Sequence, residues 1–195
     1  MHSTKAPDDQ ATNDDNNDNM YEDALIDSDT ERQEEEFYKE MVVYVDQISQ
    51  LNNNIHFGAA EHSVDCTAEF MNENYDAVVN VAAEVKYPID PNRIFELYEF
   101  AIYDDTFGML SEFGDEAVEC INKLVHEGKK IYVHCGVGIS RCPAILIYYL
   151  MMHREMMYDD ALEMLQTIRP CVKLNPNFED ELRSMQEHLL SLSLL

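Results

Sequence analysis

Basic residues are scarce in this chain. Lysine and arginine together number 13, against 39 aspartates and glutamates, and the formal net charge is −26 over 195 residues. A surface of this sign repels the phosphates of nucleic acids and the headgroups of anionic membranes. The composition therefore predicts that neither a nucleic acid nor a membrane is a partner. Part of the charge is expected to belong to a solvated tail.

The sequence also shows no apolar signal region near Met1, and its longest apolar run, residues 144–152, is too short to cross a bilayer as a helix. No spacing typical of a zinc site occurs among the cysteines, which are Cys66, Cys120, Cys135, Cys142 and Cys171. We therefore expect no bound metal and reduced thiols, in the cytoplasm, the nucleus or both.

The first 36 residues differ from the rest of the chain. They are rich in Asp, Asn, Glu and Gln, and they cannot bury enough apolar surface to offset the entropy lost on ordering. Residues 1–36 are therefore predicted to form an acidic disordered tail. Residues 37–195 are predicted to form one folded domain.

Strand and helix patterns alternate along the predicted domain. Residues 77–82 form a continuous apolar run typical of a buried strand, and 97–103 and 131–133 are also predicted to be strands. The apolar stripe over 113–125 has helical spacing, and 139–152 reads as a helix that is apolar nearly all round. This alternation predicts the α/β class, with a central, largely parallel sheet of four to five strands flanked by helices.

The candidate site lies where the short strand meets the apolar helix. The loop there reads His134-Cys135-Gly136-Val137-Gly138-Ile139-Ser140-Arg141. A glycine-containing loop that feeds a helix points backbone N–H groups into one concavity, which binds anions. Arg141 can hold two phosphate oxygens, and the same groups stabilise a thiolate at Cys135. A thiolate in a phosphate cradle is a nucleophile aimed at phosphorus, which His134 can orient or tune; the alternative is a buried, inert cysteine.

His-Cys-x5-Arg resembles the signature loop of the cysteine-based phosphatases, and residues 46–188 are similar to the dual-specificity branch of that family. Shorter matches are Ile55-His56-Phe57-Gly58-Ala59, Val79-Asn80-Val81-Ala82, Tyr149-Leu150-Met151 and Asn175-Pro176-Asn177-Phe178. The resemblance implies the cysteine-phosphatase fold and a two-step reaction. Cys135 takes the phosphoryl group, and water then hydrolyses the phosphocysteine. Neither a metal nor another cofactor is implied, because Arg141 and the backbone supply the positive charge.

The resemblance also implies an aspartate that protonates the leaving oxygen and later activates water. This sequence offers Asp104 and Asp105 on a loop upstream of the cysteine. The family places this acid directly before Ser, Thr or Asn, which favours Asp105, followed here by Thr106. Asp104 is then expected to contribute little to turnover. The alternative for both residues is a solvated loop pair.

One residue departs from the family pattern. Ser or Thr usually follows the loop arginine, and its hydroxyl stabilises the departing thiolate, but here the residue is Cys142, a weaker hydrogen-bond donor. We therefore expect slower hydrolysis of the phosphocysteine than in a Cys142→Ser variant. Alternatively, Cys142 traps oxidised Cys135 as a disulfide, or is only a small residue that fits. The family pattern further suggests that Asn177 supports the loop; a simple turn residue is the alternative.

The chain contains no tryptophan, so it lacks the Trp-Pro-Asp acid loop of the tyrosine-specific branch. Its short domain favours a shallow pocket that admits phosphoserine and phosphothreonine as well as phosphotyrosine. The loop interior also lacks the lysine found in lipid and inositol phosphate relatives. The resemblance therefore implies a dual-specificity protein phosphatase acting on a phosphoprotein. A MAP kinase is a candidate, although the N-terminus is acidic rather than basic. The alternatives are a catalytically weak phosphoprotein-binding module and a phosphatase for a non-protein ester.

Overall fold

The computed structural model describes residue 39 and residues 42–64, 68–105, 110 and 113–193. The predicted tail over residues 1–36 lies outside these residues, as do Cys66 and Thr106. Among the described residues, no helix is both long enough and apolar enough to span a membrane.

The centre of the fold is a five-stranded sheet. Its strands are β1 (Ser49–Gln50), β2 (Ile55–Ala59), β3 (Ala77–Asn80), β4 (Glu96–Glu99) and β5 (Ile131–Cys135). They lie in the order β1-β2-β5-β3-β4, and every pairing is parallel except that between β1 and β2. The α/β class and the largely parallel central sheet predicted from the sequence are therefore confirmed.

Six of the helices among the described residues connect or flank these strands. They are α1 (Glu61–Val64), α2 (Ala68–Asn74), α3 (Gly114–His126), α4 (Arg141–Arg154), α5 (Tyr158–Ile168) and α6 (Pro176–Ser193). The helix α4 contacts α3, α5 and α6, and its residues from Arg141 to Met151 are all buried. Its apolar sequence is explained by this central position, since a helix covered on every side has no polar face to keep.

The middle strand β5 positions the candidate site. All five of its residues are buried, because β2 and β3 pair with its two edges and helices cover its faces. The register sets Ala59 beside Cys135 and Asn80 beside His134. Since parallel strands end at the same edge of a sheet, the loop after Cys135 opens at the carboxyl edge, where α/β proteins bind ligands.

The structure corrects two predicted boundaries near that edge. The strand predicted over 97–103 ends at Glu99, because its neighbour β3 ends at Asn80 and offers no further ladder partner. The chain then turns locally, with Ile102 N–H donating to the Phe100 carbonyl at 2.9 Å. The helix predicted from residue 139 begins only at Arg141, because the preceding residues belong to the loop. Both shifts leave irregular backbone where the candidate residues meet.

Candidate active site

Residues 136–141, hereafter the anion loop, are held from outside by their carbonyl groups. Four successive carbonyls accept hydrogen bonds from the surrounding fold: Gly136 from Ala60 N at 2.9 Å, Val137 and Gly138 from Arg169 at 3.1 and 2.8 Å, and Ile139 from Lys173 N at 3.1 Å. The donors come from two separate parts of the chain, one just before α1 and one at and just after the end of α5. The curvature of the loop is therefore imposed by tertiary structure.

This anchoring decides where the N–H groups of the loop point. The described peptide bonds are all trans, and in a trans peptide the N–H lies opposite the preceding C=O. With those carbonyls turned outward, the N–H groups of residues 137–140 face the concave side. Gly138 N shows this directly, since it donates to Cys135 Sγ at 3.3 Å. The loop thus presents a nest of donors around the sulfur, as predicted for an anion site.

Gly138 has to be glycine for two reasons. Its φ is +75°, a left-handed conformation that other residues adopt at a cost. A Cβ at this position would lie 2.6 Å from the carbonyl carbon of Gly58 on β2, and backbone atoms cannot move aside easily. Gly58 in the short motif Ile55–Ala59 is therefore in direct backbone contact with the anion loop, and a Cβ on Gly58 itself would lie 2.7 Å from the Tyr132 hydroxyl oxygen.

Arg169 is a residue of the site that the sequence did not indicate. It is fully buried at the end of α5, and it donates to the carbonyls of Val137, Gly138 and Gln47. Its position directly before a proline suggests only the end of a helix. A buried cation behind the loop also adds positive potential to a site for anions. The Arg169 guanidinium therefore holds the anion loop in place and also contributes positive charge to the site.

Cys135 is a buried thiol with a low pKa. That pKa is lowered to about 6, and the largest cause is the hydrogen bond from the Cys142 thiol. The backbone N–H of Cys142, the charge of Arg141 and the Gly138 N–H act in the same direction, against the opposing effect of burial. Cys135 is consequently a thiolate at neutral pH and sits at the focus of the donor nest.

Cys142 occupies the position where the family pattern has a hydroxyl. Burial raises the pKa of the Cys142 thiol well above its ordinary value, so it keeps its proton and can donate. Its Sγ also lies 3.6 Å from the carbonyl oxygen of Gly58. A thiol has a single proton, which can turn to Cys135 when that sulfur is charged and to Gly58 when it is not. The geometry thus gives Cys142 a way to stabilise the thiolate.

The Arg141 guanidinium is held by Glu84 and by the backbone of Ile102. Its Nη1 and Nη2 each donate to a carboxylate oxygen of Glu84 at 2.6 Å, and Nη1 also donates to the Ile102 carbonyl at 3.2 Å. These bonds hold the pKa of Glu84 below its ordinary value, so that its carboxylate stays charged. Nε is buried and has no hydrogen-bond partner among the described residues. Nε and Nη2 lie on the same edge of the guanidinium, which is the edge that would bind two oxygens of a phosphate side by side.

His134 is neutral and holds the backbone of the nucleophile. Burial lowers its pKa to about 4. Nδ1 lies 3.1 Å from the Cys135 carbonyl oxygen, which can only accept, so Nδ1 carries the proton. Nε2 is then the acceptor for the Tyr87 hydroxyl at 2.7 Å, and Ser63 Oγ lies 2.5 Å from that hydroxyl. Of the two roles suggested for His134, orienting the nucleophile and tuning it, this series of hydrogen bonds favours the first.

Residues 100–105, here called the acid segment, lie beside the anion loop. The sequence favours Asp105 and expects little of Asp104. The structure places Asp104 Oδ2 3.5 Å from Arg141 Nε, and Asp104 Oδ1 accepts the Ser140 hydroxyl at 3.0 Å. Both aspartates are exposed residues, and the Asp105 backbone carbonyl accepts a hydrogen bond from Asn175 Nδ2 at 3.0 Å. Asp105 therefore stays a prediction as the acid, and Asp104 has contacts that the sequence did not suggest.

Asn175 reaches both aspartates. Its Nδ2 donates to Asp104 Oδ1 at 3.2 Å as well as to the Asp105 carbonyl. Asn177, the residue named from the family pattern, donates its backbone N–H to Asn175 Oδ1 at 3.0 Å. The hydrogen bond from Asn177 therefore orients the side chain of Asn175. Asn175 in turn joins the acid segment to the turn before α6.

The donor set points to an anion rather than to a metal. Among the residues that the structure describes, no group of three or more His, Cys, Asp and Glu side chains could hold a metal ion. The groups that converge on Cys135 Sγ are N–H donors and a guanidinium, which bind oxyanions. The arrangement can bind a tetrahedral dianion and attack it with a thiolate held in the same cradle.

Comparison with known proteins agrees with this chemistry. Residues 55–188 match the family described as dual specificity phosphatase, catalytic domain. Protein phosphatase Slingshot of Drosophila melanogaster is 27% identical over 150 residues, which cover 74% of this chain and 14% of that protein. The MAP kinase phosphatase with leucine-rich repeats protein 3 of Dictyostelium discoideum is 34% identical over 80 residues, covering 40% of this chain and 9% of that protein.

A solved structure gives the same fold. The crystal structure of a mouse putative dual specificity phosphatase, complexed with zinc tungstate, superposes with a TM-score of 0.66 at 23% identity, over 76% of this chain and 91% of that one. The chain spans only 14% and 9% of the two curated relatives, so it is compared with one domain of each. The family match covers most of the domain, including every residue of the anion loop. The chain therefore belongs to the family of dual specificity phosphatase catalytic domains.

Proposed function

We propose that this domain is a dual-specificity protein phosphatase that hydrolyses phosphotyrosine, phosphoserine and phosphothreonine through a phosphocysteine on Cys135. The observation that carries this proposal is the placement of the Cys135 sulfur in the donor nest, where Gly138 N donates to it at 3.3 Å. The lowered pKa of Cys135, about 6, and the nearby charge of Arg141 agree with this placement. A phosphate bound by those groups would place its phosphorus in line with the sulfur.

In the first step, Cys135 attacks phosphorus while Asp105 donates a proton to the leaving oxygen. The N–H groups of the anion loop and the Arg141 edge stabilise the charge on the transferring phosphoryl group. In the second step, Asp105 takes a proton from water, which attacks the phosphocysteine. The Cys142 thiol then donates to the departing Cys135 sulfur, in the place of the usual hydroxyl.

A protein substrate is favoured by the surface of the loop. Val137 is the exposed side chain of residues 136–141, and the charged groups beside Arg141 are the carboxylates of Glu84 and Asp104. An apolar side chain can pack against a peptide, whereas carboxylates repel the additional phosphates of inositol or lipid substrates. A MAP kinase is one candidate substrate, since a relative carries that activity in its name. We propose action in the cytoplasm or the nucleus, where such substrates occur and thiols stay reduced.

The test is turnover of a generic aryl phosphate and of matched phosphotyrosine and phosphothreonine peptides by four proteins. Wild type should hydrolyse all three substrates, and Cys135→Ser should be inactive. Asp105→Ala should lose about 10²–10⁴ in kcat, the usual worth of general acid catalysis. Asp160→Ala, which changes an exposed aspartate on α5 away from the anion loop, should match wild type.

Different failures have different meanings. Inactivity of wild type together with tight binding of a phosphopeptide would replace the enzyme with a phosphoprotein-binding module. Hydrolysis of small esters without hydrolysis of any phosphopeptide would indicate a non-protein substrate. Full activity of Asp105→Ala would remove Asp105 from the mechanism and leave the rest of the proposal intact.

A further inference from the structure

Asp104 makes a cluster of contacts that a solvated loop residue would not make. Its Oδ1 accepts hydrogen bonds from the Ser140 hydroxyl at 3.0 Å and from Asn175 Nδ2 at 3.2 Å. Its Oδ2 lies 3.5 Å from Arg141 Nε. The side chain is 29% exposed, against 8% for Arg141. The carboxylate is thus lodged between the anion loop and the segment that carries Asp105.

The hydrogen bonds of this cluster are mutually consistent. Ser140 Oγ donates its proton to Asp104 and accepts the backbone N–H of Asn175 at 3.1 Å. The two protons of Asn175 Nδ2 go to Asp104 Oδ1 and to the Asp105 carbonyl oxygen. Every donor in the cluster has an acceptor, and no two acceptors compete for the same proton. The result ties three segments together: the acid segment, the anion loop and the turn before α6.

The contact with Arg141 is of a different kind. A separation of 3.5 Å between Oδ2 and Nε is too long for a good hydrogen bond, although it is short enough for charge attraction. Nε has no hydrogen-bond partner among the described residues, and it is one of the two donors on the edge that would bind a phosphate. A phosphate oxygen on Nε would lie close to the Asp104 carboxylate. Glu84, Asp104 and the phosphate would then share one cation, and the negative charge of Asp104 weakens binding of the phosphate.

We propose that Asp104 is a positioning residue with two opposed effects on the reaction, an inference that rests on the proposed function. Through Ser140 and Asn175 it fixes the backbone of Asp105 against the anion loop, which favours proton transfer to the leaving group. Through its charge beside Arg141 it lowers the affinity for the phosphate dianion. Asp104 therefore improves the orientation of Asp105 but weakens substrate binding. The first effect comes from Oδ1, and the second comes from Oδ2.

The two effects can be separated with two substitutions. Asp104→Asn keeps an oxygen that accepts from Ser140 and Asn175 but removes the charge, so binding of tungstate should become about three- to tenfold tighter while kcat stays within about twofold. Asp104→Ala removes the acceptor too, so kcat should fall about tenfold while tungstate still binds tightly. Ser140→Ala, which removes one of the hydrogen bonds, should lower kcat in the same direction.

A double-mutant cycle tests whether Asp104 acts through Asp105. If it does, Asp104→Ala should cost almost nothing in kcat once Asp105 is already asparagine, because there is no longer a proton donor to orient. Full additivity of the two losses would overturn the proposal. So would a loss of kcat in Asp104→Asn as large as in Asp105→Asn, since Asp104 would then be the acid itself.

Two measurements keep these outcomes interpretable. Calorimetric titration with tungstate needs no turnover, so the charge effect is measurable even if the proposed function fails. Unchanged tungstate affinity in Asp104→Asn would refute that half of the proposal. Circular dichroism and thermal unfolding establish that each variant is folded, and Asp160→Asn serves as the matched control for loss of one surface charge.

Discussion

The hydrogen bond between the two neighbouring thiols can be tested by removing the donor. In Cys142→Ala, the Cys135 thiolate loses the contact that contributes most to its low pKa, while the Gly138 N–H and the Arg141 charge remain. The pKa of Cys135, about 6 in the native chain, should therefore rise. Because the thiolate is the reactive form, the pH at which activity rises should move upward with it.

The size of the change follows from the chemistry of the donor. Hydrogen bonds to charged groups contribute about 1.5–3 kcal/mol, and a thiol donates more weakly than a hydroxyl, which places this one near the lower limit. About 1.4 kcal/mol corresponds to one pH unit. Cys142→Ala should thus raise the pKa of Cys135 by about one pH unit. Cys142→Ser, with the better donor, should lower it and should hydrolyse the phosphocysteine faster.

The assay is the rate of alkylation of Cys135 by iodoacetamide as a function of pH. Burial raises the pKa of Cys120 to about 11, so that thiol should react little near neutral pH, and Cys120→Ala is the matched control. Single-turnover kinetics then report the decay of the phosphocysteine in each variant. An alkylation profile in Cys142→Ala identical to that of wild type would refute the role given to Cys142.

Two further substitutions test the construction of the anion loop. Gly138→Ala should destabilise the domain by about 3 kcal/mol and abolish tungstate binding, because its Cβ would lie 2.6 Å from the Gly58 backbone at a φ of +75°. Urea unfolding measures the stability and calorimetry measures the binding. A stable variant that binds tungstate would contradict this prediction. Arg169→Met should cost about 3–5 kcal/mol, since buried carbonyls of Val137 and Gly138 lose their donor. If its unfolding midpoint in urea equals that of wild type, Arg169 does not hold the anion loop in place.

The parts of the site that could be predicted are local in sequence. The strand, the loop with its glycines, Cys135 and Arg141 lie within one short stretch, so the chemistry of residues 131–141 follows from their order alone. The buried strand β3 could also be predicted, because a strand covered on both faces is a continuous apolar run. The ends of the strands were harder to predict. The end of β4 depends on where β3 ends, and the sequence of β4 carries no information about that position.

The contacts that the sequence did not indicate join residues across long separations. Glu84 is 57 residues from Arg141, Asp104 is 36 residues from Ser140, and Arg169 is 31 residues from Gly138. An acidic residue in an acidic chain, or an arginine at a helix end, carries no local mark of such a contact. Asp105 could be distinguished from Asp104 only by family pattern, because two adjacent carboxylates on a loop have the same chemistry.

The outward anchoring of the loop carbonyls has a consequence for how the catalytic centre comes into being. The donors are Ala60, which lies far before the loop in the chain, and Arg169 and Lys173, which lie together far after it. A peptide containing only the signature sequence would have no means of turning its amides inward. The reactivity of the sulfur is therefore a property of the assembled domain. During folding, the pKa of the Cys135 thiol should fall only after the distant segments have come into contact. The rate of its alkylation should therefore report the late stages of folding.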